Sequence, residues 1–343
     1  MNKKPDIKRI AVVQSDEKYF ADPAYGHSTL VKFERDGFKA IAHLNDPIDT
    51  PSIQFGKMVD CMMTEGLPAF HEKYHFQKVG YGKDTDGFRI ANRLFTIFHD
   101  AEWDDIPIPD RLDARDCVDA WKNMKDDVKV ADKIEKNCKV IFEDLRAGEG
   151  KSLCSWADYD DAKKCREAIL SEPSCRFFFE GDDGIERHFQ LQFFADFDGL
   201  RLKCKPDMLL VDHVNKRVLI GDLKTTSFPE WEFYQAFVKM GYMCQANMYS
   251  RIIRKCMDQD DDFKDYAIGS FFFVPICRET LTPILFHTDM NFEEGDFSLG
   301  RMRFRDPVSV AKELDGYIKG DAKVPSYIVE HRRNSLDELI KKM

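Results

Sequence analysis

The pattern of apolar and polar positions divides the chain into a largely helical first half and a strand-rich second half. From Thr50, the segment TPSIQFGKMVDCMMTEGL has a capping threonine, an early proline and apolar residues at helical spacing, which predicts a helix ending at Gly66. Residues from about Leu112 to Ala168 are strongly charged and predict two or three amphipathic helices. The apolar stripe of this region is formed by Val118, Trp121, Met124, Val128 and Ala131.

Runs of aromatic and β-branched residues after this region predict a largely antiparallel meander of strands. The predicted strands lie at Cys175 to Asp182, His188 to Gly199, Leu200 to Asp212 and Lys216 to Thr226. The segment DHVNK predicts a hairpin turn between the last two. A long amphipathic helix from about Pro229 to Arg254, the strand SFFFVPICRET and a helical region after Pro307 follow.

The order of these elements predicts an α/β (α+β) fold, with a central mixed β-sheet flanked by helices. Residues 1–50, with frequent proline and aspartate, predict an irregular lead-in or a short strand or two. Residues 51–343 then form one domain, in which the charged helical segment at about 110–170 is either an insertion or a flanking lobe.

Composition restricts the class of protein. The 343 residues include 51 Lys+Arg and 61 Asp+Glu, for a net charge of -10, and 43% are hydrophobic, so the chain can bury a substantial core. The acidic balance argues against a protein that coats nucleic acid or an anionic membrane through its overall charge, so any phosphate-binding surface must be local. We find no secretory signal and no membrane-spanning stretch, and therefore expect a cytoplasmic protein with no membrane partner.

The 10 cysteines are dispersed and predict reduced thiols in core positions rather than a disulfide framework. They lack the close pairing of zinc or iron–sulfur sites. The sequence also contains no GxSxG, P-loop or GxGxxG motif, which excludes the usual serine hydrolase, nucleoside-triphosphatase and dinucleotide-binding signatures.

Candidate chemistry is concentrated at the end of one predicted hairpin. Asp222 and Lys224 project from the same face of a strand, and the hairpin can bring Asp207, which follows Pro206, alongside them. Clustered carboxylates suit a hard cation such as Mg²⁺, and a neighbouring lysine can orient or deprotonate water and stabilise developing charge. The alternative is a surface ion pair of little energetic value. The combination of apolar strand, second aspartate and following helix favours the functional interpretation.

Other polar residues lie near these positions. Gln245 and Tyr249 are one turn apart on the following helix and can act together, although they could also simply pack that helix on the sheet. Arg201, Lys203 and Lys205 alternate on the strand leading to Asp207 and could contact nucleic-acid phosphates, or pair with nearby acids.

These residues resemble the motifs of the PD-(D/E)XK nuclease superfamily. The match is Pro206-Asp207 followed by Asp222-Leu223-Lys224, and the sequence is most similar to the RecB-type branch and to exonuclease VIII (RecE)-like phage recombination nucleases. Their GxxDxKTT and QxxxY motifs are similar to residues 220–226 and 245–249. The resemblance implies a restriction-endonuclease-like core in which Asp207, Asp222 and the Leu223 carbonyl bind metal. Lys224 would activate water, and Gln245 with Tyr249 would hold the site or the DNA strand.

Two further metal ligands are suggested by the same resemblance. Such nucleases carry Phe-Gly followed by histidine on an early helix, and here Phe55-Gly56 is followed by Asp60 in place of histidine. Aspartate can bind the same cation, but it cannot donate a proton as imidazolium can. Glu180, which closes a predicted strand, is the second candidate, although it could equally be a solvated turn residue.

The resulting hypothesis is a metal-dependent DNA exonuclease of the phage or prophage recombination type, using Mg²⁺ or Mn²⁺. The resemblance implies 5′-to-3′ digestion of linear duplex ends, a ring-like homo-oligomer, a single-strand-annealing partner, and action in DNA repair or recombination in the cytosol of a bacterium or phage-infected host. The main alternative is a catalytically inactive DNA-binding or assembly module with the nuclease fold. A Cys-ligated iron–sulfur nuclease is disfavoured by the cysteine spacing.

Overall fold

The computed structural model describes residues 4–44, 50–77, 80–181, 184–289, 292, 294–299 and 302–320. The chain forms two compact units, one comprising residues 1–56 with 167–343 and the other residues 57–166. In the described parts of the chain, no helix is both long enough and apolar enough to span a bilayer.

Helices and strands follow one another in the order expected for a mixed fold. The described α-helices are α1 (Asp16–Ala21), α2 (His27–Asp36), α3 (Pro51–Thr64), α4 (Gly66–Lys73), α5 (Asp86–Phe98), α6 (Ile108–Cys117), α7 (Asp127–Ala147), α8 (Trp156–Ser171), α9 (Pro173–Arg176), α10 (Phe233–Lys239), α11 (Tyr242–Asp258) and α12 (Pro307–Lys319). The described strands are β1 (Tyr74–Phe76), β2 (Ser152–Cys154), β3 (Glu186–Phe189), β4 (Phe193–Phe197), β5 (Leu200–Cys204), β6 (Met208–Asp212), β7 (Arg217–Thr226), β8 (Ala267–Cys277), β9 (Phe286–Thr288), β10 (Phe297–Leu299) and β11 (Met302–Phe304). Short 3₁₀-helices lie at Ile7–Arg9, Gly37–His43, Trp103–Asp105 and Glu230–Glu232.

A five-stranded mixed sheet forms the centre of the first unit. Its strand order is β3-β6-β7-β8-β9, and β7 and β8 pair in parallel while the other neighbours are antiparallel. The connection from β7 to β8 contains α10 and α11, and α11 packs against β4, β5 and β8. The central strands are apolar because both of their faces are covered. The predicted central mixed sheet with flanking helices is confirmed.

The predicted hairpin between β6 and β7 is also confirmed. Asp212 Oδ1 accepts hydrogen bonds from the backbone N–H groups of Val214 and Asn215, at 3.0 Å each. Lys216 completes the turn with a φ of 48°. An aspartate that accepts from residues two and three positions ahead is a common way to close such a turn.

The strand predicted over His188 to Gly199 is instead two strands in different sheets. It breaks near Gln190, whose φ of 57° lies in the left-handed region. β3 therefore joins the central sheet, whereas β4 pairs with β5 in a separate antiparallel hairpin. Alternation of apolar and polar residues continues through the break, which is why it could not be read from periodicity.

The strand predicted over Cys175 to Asp182 is wrong. The segment begins with α9, which has proline at its first position and is capped by the Glu172 side chain on the Ser174 N–H at 3.3 Å. A turn follows, in which Phe178 is 1% exposed. A short aromatic run is compatible with either structure, because aromatic burial does not require strand pairing.

Two other segments differ from the predictions. The lead-in predicted over residues 1–50 contains α1 and α2, and α2 contributes Leu30 and Phe33 to the main core. The helix predicted from Pro229 to Arg254 is divided at Gly241, whose φ of 67° is readily adopted by glycine. As a result, α11 begins just before the site residues that it carries.

The charged region over 112–168 contains parts of three helices, α6, α7 and α8, as predicted. The predicted apolar stripe is wrong, because α6 ends at Cys117 and Val128 is 73% exposed on α7. The α7 face that is buried within the second unit consists of Val130, Ile134, Cys138, Ile141 and Phe142.

Candidate active site

The adjoining ends of β6 and β7 bring Asp207 and Asp222 together. Met208 pairs with Gly221 in the antiparallel ladder, so Asp207, which precedes Met208, lies across from Asp222, which follows Gly221. Glycine suits this position of β7, since a Cβ at position 221 would lie 2.8 Å from Met208 Cε. Pro206, with no N–H to donate, is compatible with the end of the ladder at this point.

Asp207 is oriented by two neutral donors. Its Oδ2 accepts the backbone N–H of Leu223 at 2.8 Å, and its Oδ1 accepts the side-chain amide of Gln190 at 3.0 Å. Neutral donors restrict the orientation of a carboxylate without cancelling its charge. Asp207 thus remains suitable for binding a cation.

Asp222 is almost fully buried, with 3% of its surface exposed. Its Oδ1 accepts the side-chain amide of Gln245 at 2.8 Å, and its Oδ2 forms an ion pair with Lys224. Burial raises the pKa of Asp222, while Lys224 and Gln245 act to lower it. The alternation of β7 places Asp222 and Lys224 on one face, as predicted.

Lys224 is held between a carboxylate and an aromatic ring. Its ammonium lies 4.7 Å from the centre of the Tyr242 ring. Burial lowers the pKa of Lys224, but the attraction of Asp222, Tyr242 and Asp207 outweighs it, so the pKa lies above the ordinary value. Lys224 is therefore an ammonium at neutral pH in the metal-free protein.

His27, at the start of α2, is a neighbour that the sequence did not identify. Its Nε2 is 3.0 Å from the carbonyl oxygen of Gly241 and, because a carbonyl only accepts, Nε2 carries the proton in that contact. Burial lowers the pKa of His27 to about 4, with a further contribution from the positive charge of Lys224. No motif relates His27 or Tyr242 to Lys224, so only the fold could reveal them.

Helix α11 contributes Gln245 and Tyr249 from successive turns. Burial raises the pKa of Tyr249, and electrostatic interactions with Asp222 and Asp207 are among the further causes. The structure therefore brings together the five predicted catalytic residues, Asp207, Asp222, Lys224, Gln245 and Tyr249. Their individual roles remain predictions.

The donor atoms at this position suit a hard divalent cation. The N–H of Leu223 points towards Asp207, and the N–H and C=O of one residue leave an extended strand on the same side, so the Leu223 carbonyl is directed there too. Across the described residues, no group of three or more His, Cys, Asp or Glu side chains is arranged to hold a metal. Two carboxylates and a carbonyl nevertheless fit Mg²⁺, which commonly uses one or two carboxylates and retains waters.

The two additional predicted ligands, Glu180 and Asp60, have different outcomes. Glu180 is exposed in the turn after α9, where its N–H donates to the Arg176 carbonyl at 2.9 Å. The strand predicted to end at Glu180 is absent, so Glu180 is not held on a strand beside Asp207 and Asp222, and its role as a metal ligand stays a prediction. Asp60 is half-buried on α3 in the part of that helix that belongs to the second unit, and its role stays a prediction.

The Phe-Gly motif at the start of α3 packs at the end of β7. A Cβ on Gly56 would lie 3.0 Å from Thr225 Oγ1, so glycine permits close approach beside Lys224. Phe55 is buried, and the guanidinium of Arg278 lies 4.7 Å from the centre of its ring. This half of the motif therefore supports the strand that carries the candidate site.

The predicted basic stripe is covered by the N-terminal segment. Lys203 is 7% exposed, and its ammonium donates to the carbonyls of Tyr19 and Asp22 at 2.7 Å each. Lys203 is therefore engaged inside the protein, and the expectation that it contacts nucleic acid is corrected. Lys205 donates to Asp16 at 2.7 Å.

Arg201 differs from the other two members of the stripe because its side chain is 56% exposed. It lies 3.5 Å from an oxygen of Asp22, and its guanidinium is 4.6 Å from the centre of the Phe194 ring. Its predicted contact with nucleic acid is compatible with this exposure and remains a prediction.

The chain has recognisable similarity to a family of known domains and to a solved structure. No match was found among curated proteins. A similar solved structure is the "Putative exonuclease" from Eubacterium rectale, which is 14% identical over 72% of this chain and 88% of that chain, with a TM-score of 0.34. The family described as a PDDEXK-like domain of unknown function (DUF3799) matches residues 26–270, which include the five candidate catalytic residues. The chain therefore belongs to this family of PDDEXK-like domains, which confirms the predicted superfamily and its nuclease-like core.

Proposed function

We propose that this protein is a metal-dependent DNA exonuclease. The observation that carries the proposal is the convergence of Asp207, Asp222 and Lys224 at the adjoining ends of β6 and β7, with Gln245 hydrogen bonded to Asp222. Carboxylates on rigid strands beside a partly buried ammonium suit phosphodiester hydrolysis, in which negative charge develops on phosphorus oxygens. Membership of the PDDEXK-like family supports the same reaction class.

Asp207, Asp222 and the Leu223 carbonyl would hold Mg²⁺ or Mn²⁺. A divalent ion bound there would lower the pKa of a coordinated water and neutralise charge on the scissile phosphate. The hydrogen bonds from Gln190 and Gln245 would keep the two carboxylates in place as the cation binds. Each carboxylate oxygen can accept more than one contact, so these bonds are compatible with metal ligation.

Lys224 would act as a hydrogen-bond donor. Its raised pKa keeps it protonated, so it is suited to orient the attacking water and to stabilise the charge developing on the phosphate. This favours orientation over deprotonation, the other role expected for this lysine. Tyr249, close to both aspartates, would help to position the DNA strand.

The finer features of the proposal follow the RecE-like resemblance. We propose that the enzyme digests linear duplex DNA from 5′ ends in phage-type recombination or repair, that it works as a homo-oligomer, and that a single-strand-annealing protein is its partner. A cytosolic location in a bacterium or phage-infected cell would give it access to that substrate.

Cleavage of end-labelled DNA tests the proposal. Linear duplex DNA labelled at one 5′ or one 3′ end is incubated with protein and Mg²⁺, Mn²⁺ or a chelator, alongside a circular duplex. We expect metal-dependent digestion of the linear form only, with early release of the 5′ label as short products. Lys224→Met should reduce the rate about 10²–10³-fold, the usual range for loss of one group that stabilises developing charge. Asp222→Asn should also reduce the rate strongly, because it removes a proposed metal ligand.

Lys264→Met is the matched control, because Lys264 also pairs with an aspartate, Asp261, but on the surface with 52% of its side chain exposed. It should digest DNA at the wild-type rate. Absence of metal-dependent cleavage by the wild type, or equal cleavage by Asp222→Asn, would contradict the proposal. DNA binding without cleavage would support the inactive module instead.

A further inference from the structure

Gln190 occupies an unusual backbone conformation beside the candidate site. Its φ is 57°, in the left-handed region that residues with a side chain rarely adopt. Five other described non-glycine residues have a positive φ, and two of them, Asp198 and Lys216, lie in tight hairpin turns; the others are Asp119, Trp121 and Leu281. Gln190 instead lies between β3 and β4, where the chain leaves one sheet for another.

This conformation gives Gln190 two contacts with Asp207. Its backbone N–H donates to the Asp207 carbonyl at 3.2 Å, and its side-chain Nε2 donates to Asp207 Oδ1 at 3.0 Å. One residue therefore holds both the main chain and the carboxylate of Asp207. A residue in a sparsely populated backbone region that contacts a functional group is a reason to look for a functional role.

The two aspartates have equivalent supports. Gln245 donates from α11 to Asp222 Oδ1 at 2.8 Å, and Gln190 donates from the segment between β3 and β4 to Asp207 Oδ1 at 3.0 Å. Both donors are neutral amides, which fix the orientation of a carboxylate without neutralising it. Asp222 differs from Asp207 in that its other oxygen is paired with the ammonium of Lys224.

We propose that Gln190 is a positioning residue that orients Asp207 for divalent metal. The proposal deepens the metal-dependent function proposed above and rests on it for its biological meaning. Gln190 acts through Asp207, so its loss should weaken metal binding more than it slows the reaction at saturating metal. Partners that orient metal ligands typically change metal affinity or activity about 10–100-fold.

Gln190→Gly tests this role, because glycine accepts the backbone conformation while the side-chain amide is lost together with its two methylenes. Mn²⁺ binding to the DNA-free protein is measured by electron paramagnetic resonance, and digestion of linear DNA is measured across Mn²⁺ concentrations. We expect the Kd for Mn²⁺ and the Mn²⁺ concentration at half-maximal rate to rise together by about 10-fold or more. The rate at saturating Mn²⁺ should change much less.

Two further variants guard against an effect on folding. Lys216→Gly makes the same backbone change at the turn of the β6–β7 hairpin, the end remote from Asp207 and Asp222, and should leave Mn²⁺ binding unchanged. In Gln190→Asn, the asparagine also adopts the left-handed region, but its side chain is one carbon shorter and cannot place the amide at Asp207. This variant should therefore weaken Mn²⁺ binding, as Gln190→Gly does. Thermal unfolding of each variant establishes that the proteins compared are folded.

The outcomes separate this inference from the proposed function. If the wild type digests DNA and Gln190→Gly binds Mn²⁺ as tightly as the wild type, the positioning role is overturned and the nuclease proposal stands. If the wild type binds Mn²⁺ but does not digest DNA, the nuclease proposal fails, and the binding comparison still decides the role of Gln190. Loss of maximal rate with unchanged Mn²⁺ affinity also contradicts the positioning role.

Discussion

Two lysines in the first unit, Lys203 and Lys224, differ in the partners of their ammonium groups. Both are largely covered, and both lie near a tyrosine ring, Tyr19 for Lys203 and Tyr242 for Lys224. Lys203 donates to two backbone carbonyls, whereas Lys224 pairs with the carboxylate of Asp222. The neutral partners of Lys203 hold the N-terminal segment in place, whereas the charged partner of Lys224 places a carboxylate and an ammonium together at the end of β7.

The pKa values of the two ammonium groups are shifted in opposite directions. Burial lowers the pKa of Lys203, with partly cancelling contributions from Asp22 and Arg201. For Lys224, the attraction of Asp222 and its other neighbours exceeds the effect of burial and raises the pKa. Lys203 is thus a structural cation held at an energetic cost, and Lys224 is a cation stabilised by its site.

Replacing Lys224 with methionine should give the largest effect on function. The change keeps much of the side-chain length and removes the ammonium that stabilises developing charge on the phosphate. We expect kcat for DNA digestion to fall about 10²–10³-fold, while the protein still folds and binds DNA. Steady-state kinetics and a DNA mobility shift measure the two quantities, and an unchanged kcat would remove Lys224 from the catalytic group.

Replacing Lys203 with methionine should have the converse effect. The carbonyls of Tyr19 and Asp22 would lose a buried donor, which typically costs about 1–3 kcal/mol of unfolding free energy. Denaturant unfolding measures this loss, and DNA digestion per folded molecule should stay at the wild-type level. A selective loss of DNA affinity in Lys203→Met, with unchanged stability, would restore the predicted contact with nucleic acid.

His27, which lies near Lys224, should make the free energy of unfolding depend on pH. Its folded pKa of about 4 lies below the ordinary 6.5, so the unfolded chain binds more protons between these values. The contribution of His27 to stability is therefore complete above the unfolded pKa and is lost as the pH falls towards 4. Between about pH 7.5 and 5 we expect a loss of about 2 kcal/mol, which His27→Gln should abolish.

Denaturant unfolding of the wild type and His27→Gln at several pH values measures this contribution as a difference in slope. The difference removes the effect of carboxylates that titrate in both proteins. Parallel pH profiles for the two proteins would show that His27 is not held neutral beside Lys224.

Arg201 should give the smallest effect in this comparison. Its side chain is 56% exposed and lies 3.5 Å from Asp22, so the pair contributes at most about 1 kcal/mol to stability. If Arg201 contacts one phosphate, Arg201→Ser should reduce the slope of log affinity against log salt by about 1. DNA binding measured over a salt series tests this, and an unchanged slope assigns Arg201 to surface pairing alone.

Local sequence patterns were sufficient for the central hairpin of the site. The apolar strands, the DHVNK turn and the spacing of Asp207, Asp222 and Lys224 fix one another through short-range pairing, and the family match agrees with the fold that they predict. Gln245 was also placed correctly, because helical periodicity continues after the break at Gly241.

The remaining features depend on contacts between distant parts of the chain. The partners of Lys203 lie more than 180 positions away in a segment that was predicted to be irregular, so its burial left no local signal. The turn at Gln190 breaks the strand at a point where apolar and polar residues continue to alternate in the sequence. Glu180 was misplaced because the aromatic residues before it fill a turn, which local periodicity cannot distinguish from a strand.

Mn²⁺ binding to the DNA-free protein is the direct test of a metal site at Asp207 and Asp222. Electron paramagnetic resonance titrations of the wild type, Asp207→Asn and Asp222→Asn compare the two carboxylates in proteins that have first been shown to be folded. We predict saturable binding by the wild type and markedly weaker binding by each variant. Equal binding by all three proteins, or no saturable binding by the wild type, would contradict a metal site at Asp207 and Asp222.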